Sequence, residues 1–293
     1  MSERILLGLV GAGIRASLSP ALHEREAERL GVHALYQTID IAERGLPPSA
    51  VGEIVAAART MGFAGLNVTH PCKQVVLEHL DELSPDAAAL GAVNTVVFDG
   101  DGRTVGHNTD GTGFAASFAR GLPDAELRRV VLLGAGGAGA AVGHAALSLG
   151  AERLTVVDVE ADRARALARS LGRQFDDPDR AGHATPDELA ELLDRASGLI
   201  HATPTGMAHH PGLPLDPDLL RPELWVADIV YRPLETELLR RARDAGCRTL
   251  DGGGMVVFQA AESFALFTGL EPDRERMLRH FARLVEAPAL AAR

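Results

Sequence analysis

The sequence predicts an α/β protein of two domains, the second built on a doubly wound parallel sheet. Three observations carry this reading. Short apolar runs alternate with helical patterns along nearly the whole chain. The alternation stops at a helical segment, Thr112–Gly121, and restarts at Val130. At 293 residues the chain is long enough for two cores.

In the first series, strands are expected at Ile5–Val10, Tyr36–Ile41 and Gly65–Thr69, and helices at Ala21–Leu30, Ser49–Met61, Gln74–Leu83 and Pro85–Leu90. Val93–Asp99 and Arg103–His107 flank Asp99-Gly100-Asp101-Gly102 and predict a hairpin. The second series has strands at Val130–Leu133, Leu154–Val157, Gly198–His201, Trp225–Ile229 and Arg248–Leu250, with helices between. After Gly252-Gly253-Gly254 come two more helices, Met255–Phe267 and Asp273–Val285, and from Ala287 a frayed tail. The expected domains are 1–108, which binds substrate, and 109–249, which binds a dinucleotide, with 250–293 returning to the first.

Composition narrows the partners. A net charge of −11 argues against nucleic acid or an anionic membrane surface. Cys72 and Cys247 form no CxxC and no metal-ligand spacing, so neither a disulfide framework nor a metal site is expected. Met1-Ser2-Glu3-Arg4 leads directly into a strand and lacks the features of a signal peptide, so the expected compartment is the cytoplasm. Val130–Ala151 carries no Asp, Glu, Lys or Arg, but Gly134, Gly136, Gly137, Gly139 and Gly143 crowd it. That glycine density suits a strand, a turn and a new helix, not a membrane span. Oligomeric state stays open between monomer and homodimer.

Gly134-Ala135-Gly136-Gly137-Ala138-Gly139 contains G-x-G-x-x-G between a predicted strand and a predicted helix. In that setting the first glycine permits the turn, the second lets backbone approach a pyrophosphate, and the third lets helix pack on strand. The helix N-terminus offers free N–H groups to the phosphates. Asp158 ends the next strand about 20 residues on, at the position of a ribose-binding acid. Its carboxylate suits the hydroxyls of NAD and repels the 2′-phosphate of NADP, and Val159 supplies no cation. Arg163 reads as part of a solvated helix face.

Lys73 is the only lysine among 29 basic residues. A compact ammonium can exchange a proton where a guanidinium cannot. It closes Asn67-Val68-Thr69-His70-Pro71-Cys72-Lys73. With it, in order, come Ser17-Leu18-Ser19-Pro20, Gly91-Ala92-Val93-Asn94-Thr95, Asn108-Thr109-Asp110-Gly111, Asp228-Ile229-Val230-Tyr231 and Gly254-Met255-Val256-Val257-Phe258-Gln259-Ala260-Ala261. On these motifs, from about Leu7 to Phe281, the chain resembles the shikimate/quinate dehydrogenase family.

The resemblance implies a Rossmann domain and a substrate domain that face each other across a cleft. It implies Lys73 and Asp110 as the catalytic pair, and Ser17, Ser19, Asn67, Thr69, Asn94, Tyr231 and Gln259 around a small polyol carboxylate. Hydroxyl and amide side chains suit such a substrate, since they match its hydroxyls and donate to its carboxylate. On the cofactor side it implies Gly134, Gly136, Gly137, Ala138, Gly139, Asp158, Thr203, Gly252 and Met255. Singly, each Ser, Thr or Asn also fits a cap or turn, and Ser19-Pro20 also fits a helix start.

Two departures stand out. His201-Ala202-Thr203 replaces the family's frequent Asn-Ala-Thr, and Asp158-Val159 replaces the Asn-Arg of NADP users. The second favours the NAD-preferring quinate/shikimate branch. His70 reads as a turn residue and His209-His210 as a surface loop. Two other readings stay open: a dehydrogenase for an amino analogue of shikimate or quinate, and a non-catalytic sensor of such ligands.

Overall fold

The computed structural model describes residues 4–286. Among these the chain forms two compact units, one up to Thr109 and again from Val257, the other Asp110–Val256.

The first unit is built on a six-stranded sheet of β1 (Arg4–Gly11), β2 (His33–Asp40), β3 (Phe63–Val68), β4 (Glu82–Leu83), β5 (Thr95–Phe98) and β6 (Thr104–His107). Their order is β2-β1-β3-β5-β6-β4. β2 and β3 flank β1 in parallel, whereas β5 runs antiparallel to β3 and β6. The connecting helices are α1 (Ser19–Arg29), α2 (Val51–Thr60), α3 (Cys72–Val75) and α4 (Pro85–Leu90). β2 begins three residues earlier than its apolar pattern suggests, because it pairs with β1 along its full length, from Arg4↔His33 to Gly11↔Asp40.

The helix expected at Gln74–Leu83 is cut short. α3 passes into a 3-10 turn, Val76–His79, and Glu82–Leu83 is a strand. Tertiary bonds decide this: Asp81 N donates to Thr104 Oγ1 at 2.8 Å, Thr104 N donates to Asp81 Oδ2 at 2.8 Å, and Ser84 N donates to the Gly106 carbonyl at 2.8 Å. Ser84 then caps α4, accepting from Ala87 N at 3.2 Å.

The second unit is entered through α5 (Asp110–Gly121), which begins two residues before the predicted helix. Its strands are β7 (Arg129–Leu133), β8 (Arg153–Val157), β9 (Ala181–Ala184), β10 (Gly198–His201), β11 (Trp225–Asp228) and β12 (Arg248–Leu250). Between them lie α6 (Gly137–Ser148), α7 (Ala161–Gln174), α8 (Leu189–Asp194) and α9 (Glu237–Asp244). All six strands are parallel, in the order β12-β11-β10-β7-β8-β9. β9 was not anticipated: Ala-Gly-His-Ala has no β-branched residue, and it is a strand because β8 offers it a parallel edge. Winding reverses between β7 and β10. That reversal opens a crevice outside the carboxyl ends of those strands, where an open α/β sheet binds its ligand.

α10 (Gly253–Thr268) and α11 (Arg274–Glu286) complete the chain. The return to the first unit falls at Val257, inside α10, later than the boundary at 250 read from the sequence. Met255 is still packed in the core of the second unit, with Phe114, Leu132 and Trp225. From there α10 packs on the first sheet so closely that a Cβ on Gly65 would lie 2.3 Å from the Phe267 ring. α11 is tied to α1 by buried Glu26, which accepts from Arg276 Nε at 2.9 Å and Asp273 N at 2.7 Å.

His23 of α1 is fully buried where α1 meets α10. Its Nδ1 donates to the Ser19 carbonyl at 2.8 Å, its Nε2 lies 3.3 Å from Ser263 Oγ, and its ring packs on Tyr36 at 4.8 Å. Burial pushes this imidazole from an ordinary 6.5 down to about 4, against the opposing pull of the Ser19 carbonyl. The folded state therefore binds fewer protons than the unfolded chain between those values. His23's contribution is complete above pH 6.5 and is lost as pH falls towards 4. Denaturant titrations should show the native chain losing about 2 kcal/mol more than His23→Gln between pH 7 and pH 5. Equal losses would show that His23 is not held neutral by burial.

Candidate active site

A continuous polar chain crosses the first unit. It starts at β1, whose following loop is shaped by Asp40. That carboxylate accepts from Ile14 N at 2.8 Å, Gly13 N at 3.1 Å and Ala42 N at 3.0 Å. Burial opposes its charge, but these backbone donors outweigh it and hold the carboxyl below its usual range. The loop delivers Ser17, whose Oγ accepts from Ser19 N at 3.3 Å. The Ser19 hydroxyl donates to the Tyr36 oxygen, and Tyr36 in turn donates to Asn67 Oδ1 at 2.7 Å. Burial raises the Tyr36 phenol well above its ordinary value, so it stays a neutral donor.

Asn67 passes the chain on, with Nδ2 donating to Thr95 Oγ1 at 3.1 Å and to the Asn94 carbonyl at 3.3 Å. Both of its N–H groups and one lone pair of Oδ1 are thus engaged. Asn94 then closes a reciprocal pair with Thr109. Its Nδ2 donates to Thr109 Oγ1 at 2.9 Å and its Oδ1 accepts from Thr109 N at 2.8 Å. The next residue is Asp110, buried in the first turn of α5.

The backbone at Lys73 is tied to the segment before Asn94 by another route. Thr69 N donates to the Val10 carbonyl at 2.9 Å, and Cys72 N donates to the Thr69 carbonyl at 2.8 Å, which turns β3 into α3. Gly11 admits this turn: a Cβ there would lie 2.3 Å from Thr69 Cγ2. The Lys73 carbonyl accepts from Val93 N at 2.8 Å, one residue before Asn94. Ser17, Ser19, Thr69, Lys73 and Gln259 of α10 are partly buried, while Asn67 and Asn94 are buried. Exposed His70 lies outside this set, as do His209 and His210. Tyr36 and Asp40 were not read from the sequence. A hint existed for Tyr36, one of only two tyrosines in the chain.

The second unit carries the dinucleotide features at the reversal point. Gly134 has φ of +105°, and a Cβ on it would lie 2.7 Å from the Ala202 carbonyl oxygen. A Cβ on Gly139 would lie 2.0 Å from Gly134 O, so α6 abuts the loop as the motif requires. Exposed Gly136 and Gly137 face open space, with partly buried Ala138 behind them, at the N-terminus of the 12-residue α6. Such a loop fits a pyrophosphate.

Asp158 stands beside it, Oδ2 accepting from Ala135 N at 2.7 Å and Oδ1 from Glu160 N at 2.9 Å. Val159 is 87% exposed, and Arg163 pairs with Glu160 at 3.0 Å. Across the crevice, Thr203 follows β10 and packs its methyl against Gly134. A Cβ on Gly252 would lie 2.4 Å from Ile229 O. Met255 is core, and Tyr231 is partly buried with its phenol raised by burial. Among the described residues no His/Cys/Asp/Glu group could hold a metal ion, and no helix is long and apolar enough to cross a membrane.

Known proteins match this arrangement. A family model of the shikimate dehydrogenase substrate binding domain matches residues 9–96, and one of the shikimate 5'-dehydrogenase C-terminal domain matches residues 252–280. A protein named shikimate dehydrogenase (NADP(+)) from Streptomyces avermitilis is 65% identical over 288 residues, 98% of each chain. One named quinate/shikimate dehydrogenase (NAD(+)) from Corynebacterium efficiens is 48% identical, covering 96% of this chain and 99% of that one. The solved quinate dehydrogenase from Corynebacterium glutamicum in complex with NAD superposes with a TM-score of 0.92 at 44% identity, covering 96% of this chain and 100% of that one. Likeness of this extent, over nearly the whole chain, decides the matter: the chain belongs to the shikimate dehydrogenase family.

Proposed function

We propose that this protein is a dehydrogenase that moves a hydride between a nicotinamide dinucleotide and a ring carbinol of shikimate or quinate, with NAD preferred. The observation that carries this reading is the polar chain Ser17–Ser19–Tyr36–Asn67–Asn94–Thr109. It ends one residue before Asp110 and lies beside the backbone that presents Lys73. A fixed set of hydroxyls and amides suits a small polyol carboxylate and rejects ligands that lack its hydroxyls. The relatives named for shikimate and quinate support the substrate class. The two buried thiols, Cys72 and Cys247, agree with a reducing cytoplasm.

The dinucleotide supplies a two-electron hydride acceptor or donor when bound. In the oxidative direction Lys73 Nζ takes the hydroxyl proton as the carbinol C–H bond breaks and the C=O bond forms. Asp110, in the first turn of α5, orients the ammonium and accepts from the same region of substrate. Ser17 and Ser19 bind the carboxylate end. Tyr36, acting through Asn67, holds the pocket's register.

Relatives differ on the cofactor, those named NADP(+) and NAD(+) both being close. The local chemistry of this chain favours NAD. Asp158 brings negative charge to the ribose position, Val159 brings no cation, and Arg163 is already paired with Glu160. Catalytic efficiency with NAD should exceed that with NADP by about a hundredfold. The double variant Asp158→Asn/Val159→Arg should reverse most of that gap. Equal efficiency in the native enzyme would refute the preference.

Lys73→Ala should lower kcat by at least about a hundredfold, the scale of a positioned acid–base group. Lys73→Arg keeps the charge but not a proton that exchanges near neutral pH, so it should be nearly as damaging. NAD affinity should change little in either. Asp110→Asn combined with Lys73→Ala should cost much less than the product of the single effects. A near-normal kcat in Lys73→Ala would overturn the assignment of the pair.

A further inference from the structure

One turn into α1 from Ser19 stands His23, a fully buried imidazole to which the proposed chemistry gives no part. Its ring touches three separate pieces of the first unit. Nδ1 lies 2.8 Å from the carbonyl oxygen of Ser19. Nε2 lies 3.3 Å from the hydroxyl of Ser263, itself fully buried in α10. The ring packs on Tyr36 with centroids 4.8 Å apart, and Phe264 and Phe267 each lie at 6.2 Å.

Each of these pieces carries a residue of the polar set. Ser19 is itself a member. Tyr36 accepts from the Ser19 hydroxyl and donates to Asn67 Oδ1 at 2.7 Å. Ser263 follows Gln259 by one turn of α10, so the two share a helix face.

The direction of the bonds at His23 follows from the acceptor at one end. A carbonyl only accepts, so Nδ1 carries the ring proton. Burial pushes the imidazole down to about 4, so at neutral pH there is no second ring proton and Nε2 is an acceptor. The donor that faces it is the Ser263 hydroxyl. That hydroxyl also lies 3.1 Å from the Ala260 carbonyl oxygen, and it divides one proton between the two acceptors. The neutral ring is thus a rigid spacer that donates to α1 and accepts from α10. Packing alone does not call for it. In a cluster that already holds Tyr36, Phe264 and Phe267, a phenylalanine would fill the space with no polar atom to satisfy.

We propose that His23 is a positioning residue: by donating to the Ser19 carbonyl and accepting from Ser263 it holds Ser19 of α1 and Gln259 of α10 at the separation at which both reach one substrate molecule. This rests on the substrate reading given above, and adds to it a residue that touches neither substrate nor cofactor.

The test is steady-state kinetics of His23→Phe, alone and combined with Ser19→Ala, on whichever of shikimate and quinate the native enzyme turns over. His23→Phe should raise KM for that substrate about tenfold, the scale of one lost hydrogen bond. The Kd of NAD should be unchanged, and kcat should change little, because the Lys73 carbonyl is tied to Val93 N and not to α1. Ser19→Ala should cost much less in the His23→Phe background than in the native chain, since the hydroxyl it removes is already out of place. His23→Asn, whose amide reaches where Nδ1 stands, should recover part of the loss in KM. Should His23→Phe fail to fold, Ser263→Ala carries the same prediction from the other helix: it leaves α1 unaltered, should raise KM for the substrate, and should be non-additive with Gln259→Ala. A native KM in folded His23→Phe or in Ser263→Ala, or full additivity in the double variants, overturns this inference and leaves the dehydrogenase reading standing. A native chain that reduces neither NAD nor NADP with either substrate overturns that reading and this inference with it.

Discussion

The reciprocal bond between Asn94 and Thr109 is the constraint on which the site depends. Both side chains are buried, and each supplies what the other lacks: an amide donor to a hydroxyl, and an amide oxygen to a backbone N–H. Either group left alone in that interior would cost about 1–3 kcal/mol. The pair fixes Thr109, the last residue of this stretch of the first unit, against the segment after α4 whose Val93 N also donates to the Lys73 carbonyl. Asn67 and Tyr36 extend the same network to Ser19, so a helix start, two strands and the segments at Asn94 and Thr109 share one hydrogen-bonded frame. The side chains of this frame are thus held in place by one another, which would lower the cost of ordering them around a ligand.

Much of this was legible in the sequence, for identifiable reasons. The strands β7, β8, β10 and β11 are built around short, largely apolar runs, as buried parallel strands should be. The G-x-G-x-x-G turn could be placed because a strand preceded it and a helix followed. The family motifs pointed to Lys73, Asp110 and the polar set as candidates. What stayed hidden was set by partners distant in the chain. β9 carries no strand-forming side chain, and β4 reads as helix until Val105 and Gly106 pair with it. Tyr36 reads as an ordinary core aromatic, because its role depends on Ser19 and Asn67, neither of which neighbours it in sequence.

The two units solve different problems. In the second, glycines at 134 and 139 remove side chains so that backbone can face backbone, and a ligand can approach Gly136 and Gly137. Behind that loop the buried His201–Asp228 pair puts a costly polar cluster in an apolar sheet. Such a cluster is tolerable only when every member is satisfied, and here each one is.

The central claim is that hydride passes from a substrate carbinol to a nicotinamide ring on this chain. It is tested most directly by supplying shikimate or quinate deuterated at the carbon to be oxidised, with NAD, and weighing the reduced cofactor. The account predicts reduced cofactor one mass unit heavier, formed more slowly than with unlabelled substrate. Reduced cofactor without the label, or no reduction with either substrate and either cofactor, would contradict it.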